Sequence, residues 1–169
     1  MKQKIAKIVW MGVLLSIPIL SIFGRSLQLF LRERLSSDHL SVIFASTSFV
    51  LIGFLVIVYK EKPKIDLMIH LAWAVVLFAL VPLFLSTVEE RVHFIVFGLF
   101  GFCTLLLFRL PMAVVICLLM GGLDEILQWY LPDRVGDLRD VGFNSLAGIG
   151  GCLLAFFLSQ EKATFFPKE

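Results

Sequence analysis

The sequence predicts an all-α fold, a polytopic transmembrane helical bundle of about six spans that makes residues 1–169 a single integral membrane domain. Three observations carry that expectation. Hydrophobic residues are 59% of the chain and charged residues 17%, where soluble domains run near a half and a quarter. The mean hydropathy is +0.96. The apolar residues also fall into runs of roughly 17–20, the length a helix needs to cross a hydrocarbon core of ~30 Å.

The first run, Ile8 to Gly24, follows Lys2, Lys4 and Lys7. A basic start before an apolar stretch also suits a secretory signal. This run is long for one, however, and Ile22-Phe23-Gly24 is a poor cleavage site. It is therefore expected to stay as a span, bent at Pro18. Residues 25–39 alternate leucines with Arg25, Arg32, Glu33 and Arg34, which predicts a short amphipathic helix at the interface. Ser36, Ser37 and Asp38, with His39 beside them, offer an N-cap to a second span of about Leu40–Tyr59, and Pro63 stops it. A third span covers about Leu67–Leu85, with His70 near its start and Pro82 near its end. The polar turn STVEER leads to a fourth, about Val92–Phe108. Arg109 and Pro111 leave only a tight connection, so the fourth span and the fifth, about Met112–Leu131, should form an antiparallel hairpin. The sixth runs from about Asp140 to Ser159.

Trp10, Tyr59, Trp129 and Tyr130 lie near the ends of these runs, where amphipathic rings favour the membrane interface. Cys103, Cys117 and Cys152 sit inside apolar runs without a CxxC pair and read as small buried hydrophobes. With the N-terminus inside, nine of the 15 Lys and Arg fall on the inner side and six on the outer. Positive charge concentrates inside, so a cytoplasmic N-terminus is expected. Segment 25–39, the turn STVEERVH and the loop PDRVGDLRD then share the outer face, and in either orientation they share one face.

Residues 121–151, GGLDEILQWYLPDRVGDLRDVGFNSLAGIGG, set four Asp, one Glu, two Arg, one Gln and one Asn into this apolar background. Asp124 and Gln128 are four residues apart on the fifth span and share a face, with Glu125 beside them. Pro132 ends that helix about two turns later, so the acids lie ~10 Å below its end. An unpaired carboxylate at that depth is costly. The acids must meet a cation, a neighbouring helix or a wet cavity, or else be protonated. Arg134 and Arg139 supply cations, Asp137 precedes the sixth span, and Asp140 and Asn144 share a face on its first turns. Ala147, Gly151 and Ala155 form a small-residue stripe, and Gly121 and Gly122 suit close packing at the same depth. Glu89, Glu90, Arg91 and His93 open the fourth span on the same side. A shallow polar pocket among the fourth, fifth and sixth spans follows.

Asp124, Glu125, Gln128, Pro132, Arg134, Asp137, Asp140, Asn144 and Gly148 keep a spacing that resembles the signature of the VanZ-like family of small bacterial membrane proteins. His93 followed by Gly98 and Gly101 resembles the family's earlier helix, although Glu90 stands where an Asp would be expected. The resemblance covers about residues 88–158. It implies a protein of the bacterial plasma membrane. The family is named for a protein that raises resistance to the glycopeptide teicoplanin, and no catalytic activity is generally assigned to it.

Two readings of the polar residues stand side by side. As interhelical glue, each contact contributes about 0.6 kcal/mol. As a site, Asp124, Glu125 and Gln128 line a pocket, Arg134 and Asp140 hold the loop, Asn144 bonds across helices, and Asp137 and His93 are further candidates for touching the ligand. Three acids and two arginines exceed what glue needs, which favours a site for a cell-wall precursor, a lipid headgroup or a glycopeptide. A divalent metal on Asp124, Glu125, Asp137, Asp140 and His93 is disfavoured. The loop arginines would satisfy those acids, and no HExxH spacing occurs. No metal or other cofactor is therefore expected. Acid/base or metal-assisted chemistry on a lipid-linked substrate stays as the enzyme alternative. No internal repeat suggests a transporter. A net charge of +2 without basic–aromatic runs excludes nucleic acid. The expected partner common to all readings is the lipid bilayer.

Overall fold

The computed structural model describes residues 2–34, 42, 46, 53, 65–85, 87–132, 134 and 136–163. Every described element is helical. Helix α1, Lys2–Arg34, has 33 residues, about 50 Å of length at 1.5 Å per residue. It exceeds a hydrocarbon core by about 20 Å. The amphipathic segment expected as a separate interfacial helix is, through Arg34, the unbroken continuation of α1. Its Leu, Gln and Arg are strong helix formers, and nothing between Arg25 and Arg34 breaks the ladder. The expected second span and its cap at Ser36–Asp38, with His39 and Tyr59, lie outside the described residues apart from Val42, Ser46 and Gly53.

Helix α2, Ile65–Val75, runs into a π turn at Val76–Leu80 and a 3-10 turn at Val81–Phe84. Pro82 explains the change of winding. Its ring conflicts with the carbonyl four residues back, so the preceding turn widens and the Val81 N–H reaches Val76 O. Helix α3, Val88–Leu105, starts two residues before Glu90, whose N–H is accepted by the Thr87 side chain at 3.1 Å. Thr87 is an N-cap, so Glu89, Glu90 and Arg91 form the first turn, and the helix starts four residues before the span expected from about Val92. Arg91 reaches back to the Leu85 carbonyl at 3.2 and 3.3 Å, tying that junction. Helix α4 is Leu110–Tyr130, with Pro111 in its first turn, and α5 is Leu138–Ala163.

Three of the described helical segments are long and apolar enough to cross a membrane: Gln3–Ser26, Leu110–Tyr130 and Leu138–Ser159. Met68–Phe84 is a shorter apolar helical stretch. The all-α class is therefore shown, and three described segments qualify as membrane spans by length and composition.

Helix α5 packs chiefly on α3 and then on α4, while α1 packs on the same α3–α4 pair. Phe94, Phe97 and Phe100 of α3 are fully buried at the centre. Ile8, Phe23, Leu119 and Ile126 stay exposed, as on surfaces that face lipid. The α3–α5 contact is made by glycines. A Cβ on Gly101 would run into the Gly148 carbonyl, and one on Gly151 into that of Gly98. Backbone touches backbone there, which only small residues permit. Cys117 and Cys152 lie beside this seam, buried, with sulfurs 3.7 Å apart. Trp10 packs inward, donating to Thr104 Oγ1 at 2.9 Å and stacking on Phe100. Trp129 and Tyr130 are exposed. His70 stacks on Phe157 at 3.7 Å and accepts from Trp73 Nε1 at 3.2 Å.

Candidate functional site

Four helices meet at one depth. Asp124 and Glu125 lie about 8–9 Å before the end of α4, and Asn144 lies about 9 Å after the start of α5. The α1 face carrying Ser21, Arg25 and Gln28 and the α3 face carrying His93 close against them.

Asp124 joins three of those helices. Its Oδ1 accepts from the Ser21 hydroxyl of α1. Its Oδ2 accepts from Gln128 Nε2 at 3.0 Å and lies 3.8 Å from His93 Nε2 of α3. The side chain is 0% exposed. Ser21 Oγ also lies 3.4 Å from His93 Nε2. Hydroxyl and carboxylate therefore address the same imidazole nitrogen. A nucleophile triad needs them on opposite nitrogens, so this cluster is not one.

Glu125, one residue on, is held differently. Oε1 accepts from Gln128 Nε2 at 3.2 Å and Asn144 Nδ2 at 3.4 Å, and Oε2 accepts from the Asp137 N–H at 3.1 Å. That N–H belongs to the N-cap residue of α5, where oriented backbone donors favour an anion. Asp137 itself is exposed. Its Oδ1 accepts from Arg139 N at 2.9 Å, and its carbonyl accepts the N–H groups of Asp140 and Val141. Gly136 makes the approach feasible, because a Cβ there would press on the Glu125 carbonyl and the Trp129 side chain. Arg134 crosses to α1, donating to the carbonyls of Ser21 at 3.0 Å and Leu20 at 3.4 Å. Burial lowers its guanidinium pKa from the ordinary arginine value, and the nearby charge of Arg25 adds to the shift.

Above this floor lies a cavity of about 250 Å³. Glu125, Gln128 and Asn144 form its deep end together with His93. Arg25, Arg134, Glu90, Asp140, Thr87, Leu85 and Phe143 complete the lining. At the rim, Arg139 is half exposed and bridges Glu90 at 3.4 Å and Asp140 at 3.2 Å.

Of the residues singled out from sequence, Glu125, Gln128, Arg134, Asp140, Asn144 and His93 line this space. Asp124 sits behind it, sealed by Ser21, His93 and Gln128, and the Asp137 side chain turns to the α5 backbone. The pocket also takes a fourth wall from α1, which sequence reasoning left out. Ser21, Arg25 and Gln28 recur at helical spacing on one face of that helix, the available signal for them. Among the described residues, no three of His, Cys, Asp or Glu group so as to hold a metal ion.

The family profile described as VanZ/LLP1 matches residues 2–159. The chain belongs to that family. The match reaches beyond the region 88–158 on which the resemblance rests, and it takes in α1, whose Ser21 reaches Asp124 and whose Arg25 lines the cavity. No curated protein and no solved structure matches the chain.

Proposed function

We propose that this VanZ/LLP1 protein recognises the polar head of an envelope molecule in its cavity, at the outer face of the bacterial plasma membrane, with the N-terminus in the cytoplasm. One observation carries the reading: charged side chains from four helices line a single space at a helix depth where unpartnered charge is costly. Its size favours a headgroup over a whole glycopeptide. Drug-sized ligands occupy roughly 300–1,000 Å³, and about 250 Å³ holds only the head of a lipid or lipid-linked precursor. Teicoplanin resistance, on this reading, comes from engaging a molecule the drug also meets. The glue and site readings divide between neighbours: Asp124 clamps helices together, while Glu125 and Gln128 face the ligand.

The test is teicoplanin susceptibility in cells carrying Glu125→Gln or Gln128→Ala, compared at equal membrane levels of protein. We expect susceptibility to return to that of cells lacking the protein. Unchanged resistance at full protein level would contradict the reading, and loss of the protein from the membrane would favour glue. Incubation with labelled lipid-linked precursors adds an arm for the enzyme alternative, because turnover abolished by Glu125→Gln would replace recognition with catalysis.

A further inference from the structure

We propose that the cavity takes a zwitterionic head, with a phosphate at Arg25 and Arg134 and a primary ammonium at Glu90 and Asp140. This rests on reading the cavity as a headgroup site and adds the charge pattern of its occupant.

Besides Glu125 and His93 at the deep end, four charged residues line the space. Arg25 belongs to α1, and Arg134 is fastened to α1 through the Leu20 and Ser21 carbonyls. Glu90 opens α3 and Asp140 opens α5, and Arg139 draws the two together from the rim. Arg25 and Arg134 thus line the cavity from the α1 side, and Glu90 and Asp140 line it from the starts of α3 and α5. Two guanidiniums near one another favour an anion between them, and their forked donors suit phosphate oxygens. Beside them, the Gln28 carbonyl accepts from Arg25 at 3.3 Å. The Gln28 amide nitrogen is buried and has no partner among the described residues.

The two carboxylates distinguish among cations. A primary ammonium donates three hydrogen bonds, which carboxylates accept. A quaternary ammonium donates none and prefers aromatic faces, and the Phe143 ring in the lining already lies under the Arg139 guanidinium at 6.0 Å. An ethanolamine-type head therefore fits better than a choline type, and a glycerol type lacks the cation. Arg139, 52% exposed, is the resident cation that such an ammonium displaces or joins.

The full-length protein in detergent is titrated with short-chain phosphatidylethanolamine, phosphatidylcholine and phosphatidylglycerol, with binding followed by native mass spectrometry. We expect the ethanolamine lipid to bind roughly tenfold more tightly than the other two. Arg25→Gln, at an exposed position, weakens all three lipids. Glu90→Gln weakens the ethanolamine lipid alone. Arg139→Ala, at the rim, leaves ethanolamine binding equal or tighter. Free phosphoethanolamine binding as tightly as the lipid supports the charge pattern and assigns the occupant to the aqueous side, whereas weaker binding assigns it to the bilayer. Equal binding of phosphatidylglycerol, or equal weakening of all lipids by Glu90→Gln, overturns the ammonium half while leaving a headgroup site standing. Failure of every lipid to bind overturns both.

Discussion

Two adjacent carboxylates, Asp124 and Glu125, meet different surroundings because a helix turns about 100° per residue. Asp124 points at α1 and α3 and is covered by Ser21 and His93, whereas Glu125 points at α5 and the cavity. The difference predicts unequal responses to substitution. Asp124→Leu removes the carboxylate that accepts from Ser21 and Gln128 at a buried point where three helices meet, leaving Gln128 only its Glu125 acceptor, so stability should fall by about 1–3 kcal/mol. Glu125→Gln keeps one of the two acceptor oxygens and gives up the other, so it should cost about one hydrogen bond, ~1 kcal/mol. Unfolding midpoints in detergent check both, and an Asp124→Leu protein as stable as the parent contradicts the clamp. Asp124, Glu125 and Gln128 were legible in sequence because charge in an apolar helix is conspicuous. Ser21 was not. A lone Ser among Ile and Leu looks the same whether it serves a buried acid or, like Ser16, bonds only the carbonyl of Val13 a turn back, at 2.7 Å. Asp137 is ambiguous in the other direction, since an acid just before a helix serves equally as a cap.

At the scale of elements, the α3–α5 seam sets how closely the site's walls can stand. Gly98 and Gly101 on one helix meet Gly151 and Gly148 on the other, carbonyl against α-carbon, in antiparallel order. Gly101→Ala should push the helices apart at a cost of about 1–3 kcal/mol, the usual penalty of overpacking. Gly122→Ala, which meets nothing within 4 Å, should be neutral or stabilising by up to about 1 kcal/mol. Folded yield after extraction compares the two, and equal yields contradict the seam. The sequence stripe Ala147, Gly151 and Ala155 pointed to close packing on α5, and Gly151 does take part. The partner helix was less legible, because glycines in apolar runs carry no address. The extent of α1 was missed for a related reason. Arg25 to Arg34 has an interfacial composition, but composition alone does not mark a break, and the ladder continues through it.

For the whole molecule, the sequence placed segment 25–39, the turn before α3 and the loop after α4 on one face. In the structure Arg25, Glu90 and Arg134 from those three regions line one cavity. Spans that alternate, as the sequence predicts, would bring these ends together whatever the details of packing, and the three side chains do share one space. The central claim is that this space is a water-accessible site open to the outer face, and cysteine accessibility tests it most directly. The native Cys103, Cys117 and Cys152 are buried and give little background. Phe143 lines the cavity, and Ala147, one turn deeper on α5, is fully buried. A membrane-impermeant methanethiosulfonate applied to intact cells should modify Phe143→Cys and leave Ala147→Cys untouched, with short-chain phosphatidylethanolamine slowing the first reaction. Phe143→Cys that reacts only in inverted vesicles, or in neither preparation, would contradict the account.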